Sequence, residues 1–253
     1  MKTAIITGAS SGLGREFARQ LADVFPEIRE VWLVARRRER LEELAAAMPQ
    51  AKVRVLALDL CDPMSFTVFS QWLTRLRPQV ELLVNNAGCG YLGKLGETDT
   101  GEQTRMIDLN LRALTAVTNL TIPYMPRGGR IINVSSIAAF CPNPRMTVYS
   151  ATKAFVSHFT VGLSEELRRP RGISVTAVCP GPMATEFLNV GNILGNSWMF
   201  ELLPYCDQVR VANGTLRAAR ARRTIYTPRL FYKAYRLVAK LLPAKLMAKL
   251  AKV

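Results

Sequence analysis

A single histidine, His158, in 253 residues leaves a His-based metal site without ligands. The five cysteines (61, 89, 141, 179 and 206) are odd in number and form no CxxC pair. They exclude a disulfide scaffold and read as reduced thiols in a cytoplasmic setting. No apolar run reaches the ~18 residues that a membrane-spanning helix needs. The apolar run after Met1 is too short for a secretory leader, and none is expected. With only 16 Gly and 14 Pro the chain is not collagen-like, and 49% hydrophobic residues exclude disorder. Negative charge is missing from the C-terminal end. Lys and Arg total 34 against 19 Asp and Glu, for a formal charge of +15, and Val209–Val253 holds 12 of the cations and no acid. Residues 1–208 therefore keep 22 cations against 19 acids, close to neutral, and the excess is a cationic tail that suits an anionic partner or a solvated helix face.

What is present is an alternation. Lys2–Thr7 reads as a buried strand, Gly8–Gly14 as a turn and Arg15–Val24 as a helix. Further strands are expected at Glu30–Ala35, Lys52–Leu58, Val80–Val84, Arg130–Val134, Ile173–Val178 and, briefly, Thr224–Thr227. Helices are expected at Arg38–Met48, Pro63–Leu76, Gly101–Ile122 and Tyr149–Leu167. Short apolar runs separated by helices mark a parallel sheet buried on both faces. Right-handed crossovers then give an α/β fold, a Rossmann-type doubly wound parallel β-sheet flanked by helices. No repeat or low-complexity linker interrupts it, so residues 1–227 are expected to form one domain, with 228–253 as a basic helical extension.

Three clusters carry chemistry. Thr7-Gly8-Ala9-Ser10-Ser11-Gly12-Leu13-Gly14 joins the first strand to the first helix. Its glycines let the backbone turn sharply and approach a ligand, and the helix start offers free N–H groups to a pyrophosphate. A glycine triplet alone is equally a tight turn; its place between strand and helix favours a dinucleotide. The second strand ends Val34-Ala35-Arg36-Arg37-Arg38 without an acid before Glu39. A carboxylate there accepts the ribose hydroxyls of NAD, whereas Arg receives the 2′-phosphate of NADP, so Arg36 and Arg37 favour NADP(H) over the plainer reading of a charged helix start. Tyr149 and Lys153 stand four residues apart on one helical face. An ammonium beside a phenol favours phenolate and is expected to lower its pKa towards neutrality. Such pairs are common on surface helices, but Ser136 follows the strand Arg130–Val134 at the carboxyl edge where these sheets bind ligands.

Together these residues resemble the short-chain dehydrogenase/reductase family, over residues 3 to about 227. The family's TGxxxGxG loop corresponds to Thr7–Gly14, so Gly8, Ser10, Ser11, Gly12, Leu13 and Gly14 are implied to contact the cofactor. Its NNAG segment corresponds to Asn85–Gly88, implying Asn86, Ala87 and Gly88. Asp59 and Leu60 match the position that bonds the adenine, and Pro180, Gly181, Met183 and Thr185 match the segment at the nicotinamide. The resemblance implies Tyr149 as general acid, Ser136 as hydrogen-bond partner of the carbonyl oxygen, Lys153 as support for both phenol and ribose, and Asn110 as anchor of a proton-relay water. Ser135 is implied to lie nearer the nicotinamide. It also implies a homo-oligomer, while Arg36 and Arg37 give NADP(H) as the expected cofactor and the single histidine gives no expected metal.

Met183–Tyr205 contains Phe187, Leu188, Ile193, Leu194, Trp198, Met199 and Phe200. In relatives this stretch closes over substrate; so apolar a lid points to a lipid-, steroid- or ketoacyl-like carbonyl compound, although the same side chains could fill core. In the tail, at about 100° per residue, Arg229, Lys233, Arg236 and Lys240 share one helix side, and Phe231, Ala234, Tyr235, Val238, Leu241 and Leu242 the other. Pro243 breaks the helix before a second basic set, Lys245, Lys249 and Lys252. Such a helix lies on an anionic membrane or packs its apolar stripe on the domain or a second subunit. The leading expectation is an NADP(H)-dependent carbonyl reductase or alcohol dehydrogenase. The rivals are a cofactor-sensing protein without catalysis and a membrane- or nucleic-acid-associated protein acting through its tail; nucleic acid is disfavoured because no recognition module is present.

Overall fold

The computed structural model describes residues 1–187 and 203–251. Seven parallel strands form one sheet in the order β3-β2-β1-β4-β5-β6-β7. They are β1 (Lys2–Thr7), β2 (Glu30–Ala35), β3 (Lys52–Ala57), β4 (Gln79–Asn85), β5 (Arg130–Val134), β6 (Ser174–Val178) and β7 (Ile225–Tyr226). Between them lie α1 (Gly12–Val24), α2 (Arg38–Ala46), α3 (Met64–Leu76), α4 (Thr100–Ile107), α5 (Leu114–Thr121), α6 (Thr147–Arg171) and α7 (Gln208–Arg220). Two short helices follow β7: α8 (Leu230–Leu241) and α9 (Ala244–Leu250).

Side chains alternate across each strand, and here both sides are dry. Ala4 and Ile6 of β1 enter a core with Phe17 and Leu21 of α1 and Leu216 of α7. Ile5, between them, enters the opposite core with Phe69 of α3, Val117 of α5 and Leu163 of α6. The strand order reverses between β1 and β4, which are direct neighbours, so the loops leaving their carboxyl ends part to opposite faces and leave a crevice.

The long helix expected over Gly101–Ile122 is broken in the middle. Asp108–Ala113 forms a wide π turn between α4 and α5. The buried Asn110 explains it: its side-chain amide donates to the Cys89 carbonyl at 2.9 Å and the Thr152 hydroxyl at 3.0 Å, and its oxygen accepts from the Cys89 amide at 2.9 Å. These bonds to a loop and to α6 hold the turn open, as is common where helices serve a site.

In the tail, the sides of α8 read from the sequence meet different surroundings. Lys233 and Lys240 face solvent, but the apolar side divides. Tyr232, Tyr235, Ala239 and Leu242 pack inward, with Tyr232 fully buried, whereas Phe231, Val238 and Leu241 are exposed. The apolar stripe is wider than the surface that the described residues offer to cover it. No described helix is long and apolar enough to cross a membrane.

Candidate active site

The crevice is a cleft of about 500 Å³ lined by the turn after β1, the ends of β2 to β6, Tyr149 and Lys153 of α6, and residues of α8 and α9. Its first wall is the glycine turn. Gly8 and Gly12 have φ of +66° and +52°, values that only glycine adopts easily, and a Cβ on Gly14 would lie 2.2 Å from the Gly8 carbonyl oxygen. The Thr7 hydroxyl accepts the amides of Asn86 and Ala87 at 3.0 and 3.1 Å, and the Asn86 side chain donates to the carbonyls of Thr7 and Gly8. Asn86 thus braces the turn with its side-chain nitrogen. α1 begins at Gly12 with no capping bond from the Ser11 side chain and no acid in its first turn. Its leading N–H groups and the positive end of its dipole can hold a pyrophosphate.

Arg36 and Arg37 reach the cleft at the end of β2, and Asp59 and Leu60 follow β3. Arg36 is exposed. Arg37 donates to the Ser10 hydroxyl at 3.2 Å and meets Glu186 at 2.9 Å, and Arg40 also pairs with Glu186. Burial would raise the Asp59 carboxyl, but the Cys61 amide and the Arg105 guanidinium outweigh it and hold it below the usual carboxylate range. Asp59 is therefore an ionised acceptor. Thr185 stands over Gly12, its methyl 3.5 Å from where a Cβ would be, and Met183, Pro180 and Gly181 line the same wall.

Ser136, extended and just past β5, caps a short turn: its hydroxyl accepts from the Ala138 amide at 3.1 Å, and it lines the cleft with Tyr149. Lys153, one turn along α6, donates to the Val134 carbonyl at 2.9 Å with its nitrogen 5.7 Å from the Tyr149 ring centroid. Burial raises the Tyr149 phenol to about 12, against the pull of the Ser136 hydroxyl, and lowers the Lys153 ammonium to about 8. The phenol is thus not brought towards neutrality, as the sequence led us to expect. Burial is the largest cause for both groups, and it disfavours the phenolate and the ammonium alike. Tyr149, its phenol protonated at neutral pH, lines the cleft together with Ser136.

Comparison with known proteins bears on this arrangement. The short chain dehydrogenase family model matches residues 2–192. Sulfoacetaldehyde reductase 2 of Chromohalobacter salexigens is 37% identical over 188 residues, 72% of this chain and 73% of its own. Among solved structures, a short-chain dehydrogenase from Sphingobium yanoikuyae in complex with NADPH superposes with a TM-score of 0.79 at 29% identity, covering 96% of this chain and 97% of that one. A short-chain dehydrogenase/reductase from Burkholderia phymatum in complex with NAD shares the fold, with a TM-score of 0.80 at 23% identity over 93% and 92%. The chain belongs to the short-chain dehydrogenase/reductase family.

As a short-chain dehydrogenase/reductase it is an oxidoreductase, and the catalytic and cofactor-binding residues its sequence singled out line one cleft, apart from Gly14 and Asn110. For Ser135 and Asn110 the structure adds partners that the sequence did not suggest. The Ser135 hydroxyl donates to the Lys153 carbonyl at 2.8 Å and meets Ser157, so it ties β5 to α6. Asn110 spends its polar atoms on Cys89 and Thr152, beside Lys153: a Cβ on Gly88 would lie 3.0 Å from its oxygen and 3.4 Å from the Lys153 nitrogen. His158 is exposed on α6, and burial pushes the Cys89 and Cys179 thiols up to about 11. Of the lid residues, Phe187 packs on Tyr149 with ring centroids 5.6 Å apart, while Leu188, Ile193, Leu194, Trp198, Met199 and Phe200 lie outside the described residues.

Sequence reasoning missed the far wall. Phe231, Tyr232, Tyr235, Met247, Leu250 and Ala251 line the cleft. The Tyr235 hydroxyl meets the Cys141 thiol at 2.7 Å, and the Tyr232 hydroxyl donates to the Pro204 carbonyl at 2.7 Å. Gly181 exists for this contact, since a Cβ there would sit 2.3 Å from the Tyr232 ring. An apolar stripe signals that a helix packs, not where.

Proposed function

We propose that this chain transfers a hydride equivalent between NADP(H) and the carbonyl or secondary alcohol of an apolar substrate, lipid-, steroid- or ketoacyl-like. The observation that carries the reading is that Ser136, Tyr149 and Lys153 line the same cleft as the glycine turn, with the Tyr149 phenol buried and protonated.

The site suits the cofactor. The uncapped start of α1 supplies amides for a pyrophosphate, with the side chains of Ser10 and Ser11 beside it. Asp59 and Leu60 would take the adenine, the backbone of Ala87 and Gly88 and the Pro180–Thr185 wall the nicotinamide half, and Lys153 its ribose. Arg36 and Arg37 at the end of β2, with no carboxylate between them and Glu39, favour the 2′-phosphate. When bound, the nicotinamide supplies or takes the hydride.

The chain's own residues handle the oxygen. Ser136 donates a hydrogen bond to the carbonyl, and Tyr149 delivers its proton to the same oxygen as charge develops there. Phe187, Tyr235 and Met247 keep water from the reacting groups and offer an apolar bed, which supports an apolar substrate. In the reverse direction Tyr149 takes the proton back as phenolate.

A Tyr149→Phe variant keeps the ring and its packing on Phe187 but has no proton to give. Titration should show NADPH binding unchanged, while turnover of a panel of ketosteroids, 3-ketoacyl thioesters and small aldehydes falls by about 10³-fold or more. Turnover surviving in the variant rejects the assignment. Arg36→Asp should in turn lower the NADPH-to-NADH preference about 100-fold in the same assay.

A further inference from the structure

α8 carries three stripes rather than two. At about 100° per residue, Tyr232, Tyr235, Ala239 and Leu242 occupy one sector and are the side chains that pack inward. Arg229, Lys233, Arg236 and Lys240 occupy a second. Leu230, Leu237, Val238 and Leu241 fall in a third, with Phe231 at its border with the buried sector. Among the described residues nothing covers that third sector: Leu230 is 80% exposed and Leu241 75%.

After Pro243 the order repeats in α9. Met247 and Ala251 turn inward, Leu246 and Leu250 are exposed together, and Lys245 and Lys249 flank them. Two successive helices thus present leucines to solvent with lysines along one margin. A contiguous apolar patch rimmed in this way marks an interaction surface.

The occupant is constrained by charge. No Asp or Glu occurs from Val209 to the C-terminus, so the partner must bring the negative charge. A second copy pairing through the same patch would set lysine margin against lysine margin. Flat apolar contact plus diffuse anionic charge is what a bilayer of acidic lipids offers to a basic amphipathic helix, whose leucines enter the headgroup boundary while the lysine stems reach back to phosphate. With no described helix able to span, the chain would lie on the membrane rather than in it.

The patch is also continuous with the cleft. Phe231 and Leu250 are exposed on it and line the cleft as well, so its edge is part of the cleft's rim. We propose that α8 and α9 dock this protein on an anionic lipid bilayer and that the cleft takes its apolar substrate from that bilayer. The second half rests on the apolar-substrate reading proposed above; the docking does not.

The test uses the full chain and two vesicle types, phosphatidylcholine alone and an equimolar mixture with phosphatidylglycerol. Sedimentation should recover about tenfold more protein with the anionic vesicles, less so at high salt. A Leu237→Glu/Leu241→Glu variant, changed at two exposed positions outside the cleft, should lose that recovery by about tenfold while its melting midpoint and its turnover of a water-soluble carbonyl compound stay as in the wild type. Turnover of a long-chain ketone dissolved in the anionic vesicles should fall with the recovery. Equal recovery with both vesicle types overturns the docking, as does recovery indifferent to the double variant. Light scattering that shows a dimer dissolved by the double variant overturns it too, since the patch would then belong to a second copy. Docking without turnover of any of these compounds, by contrast, would leave the docking standing and reject the apolar-substrate reading of the proposed function alone.

Discussion

Lys153 is the residue on which burial and function pull in opposite directions. In the unfolded chain its pKa is that of an ordinary lysine, 10.5; in the fold burial lowers it to about 8. The folded state therefore binds fewer protons between these values, and its stability rises with pH through that window. Below pH 8 the full penalty of burying the ammonium is present. Lys153→Met removes it, so the variant should unfold in urea with about 1–2 kcal/mol more stability at pH 7, an advantage that disappears by about pH 10. Its reductase activity should be lost, since no cation remains to support ribose and phenol. In the wild type, Tyr149 stays protonated well above neutrality, so the group titrating in the free protein is Lys153. The kcat/KM for carbonyl reduction should fall as pH rises through about 8, which a pH profile would read directly. A profile flat to pH 10 would contradict this.

Among the elements, α8 is the one seated by a missing side chain. The Tyr232 ring lies where a Cβ of residue 181 would be, and Tyr232 is fully buried as a result. Gly181→Ala would push the ring out of its slot and lift the helix from the cleft wall. We expect about 2–3 kcal/mol of lost stability by chemical denaturation and a raised KM for bulky apolar ketones, with kcat for small aldehydes nearly unchanged. The π turn between α4 and α5 is the other element shaped by a contact rather than by its own sequence. Nothing in Met106-Ile107-Asp108-Leu109-Asn110 discourages an α-helix; the widening comes from bonds that Asn110 makes to residues 21 and 42 positions away.

For the whole molecule, the cleft joins every strand end from β1 to β6 and both terminal helices, so a ligand filling it is held by parts of the chain far apart in sequence. Binding to the folded state alone stabilises by mass action, about 2.7 kcal/mol at a hundred times the dissociation constant. For a chain of this size that corresponds to a rise of about 5–10 °C in the melting midpoint. Differential scanning fluorimetry should show this rise with NADPH, a smaller one with NADH at equal concentration, and near equality in Arg36→Asp. Equal shifts in the wild type would argue that the two arginines do not select the phosphate.

The alternation of apolar runs and helices determined the sheet, because a strand buried on both faces has to be apolar throughout and only flanking helices can cover it. Glycines at 8, 12 and 14, the acid-free end of β2, and the Ser136, Tyr149 and Lys153 set were legible for a related reason. Each depends on short-range geometry: a turn that excludes Cβ, a strand end, one helical face. What lay beyond the sequence were quantities fixed between distant segments. The direction of the Tyr149 shift followed from how deeply the phenol is buried. The pairing of Glu186 with Arg37, the bracing of the glycine turn by Asn86, and the choice of which half of the α8 stripe packs were decided by tertiary contact alone. A stripe of leucines says that water is unwelcome there; only the folded surface opposite determines how much of it finds cover.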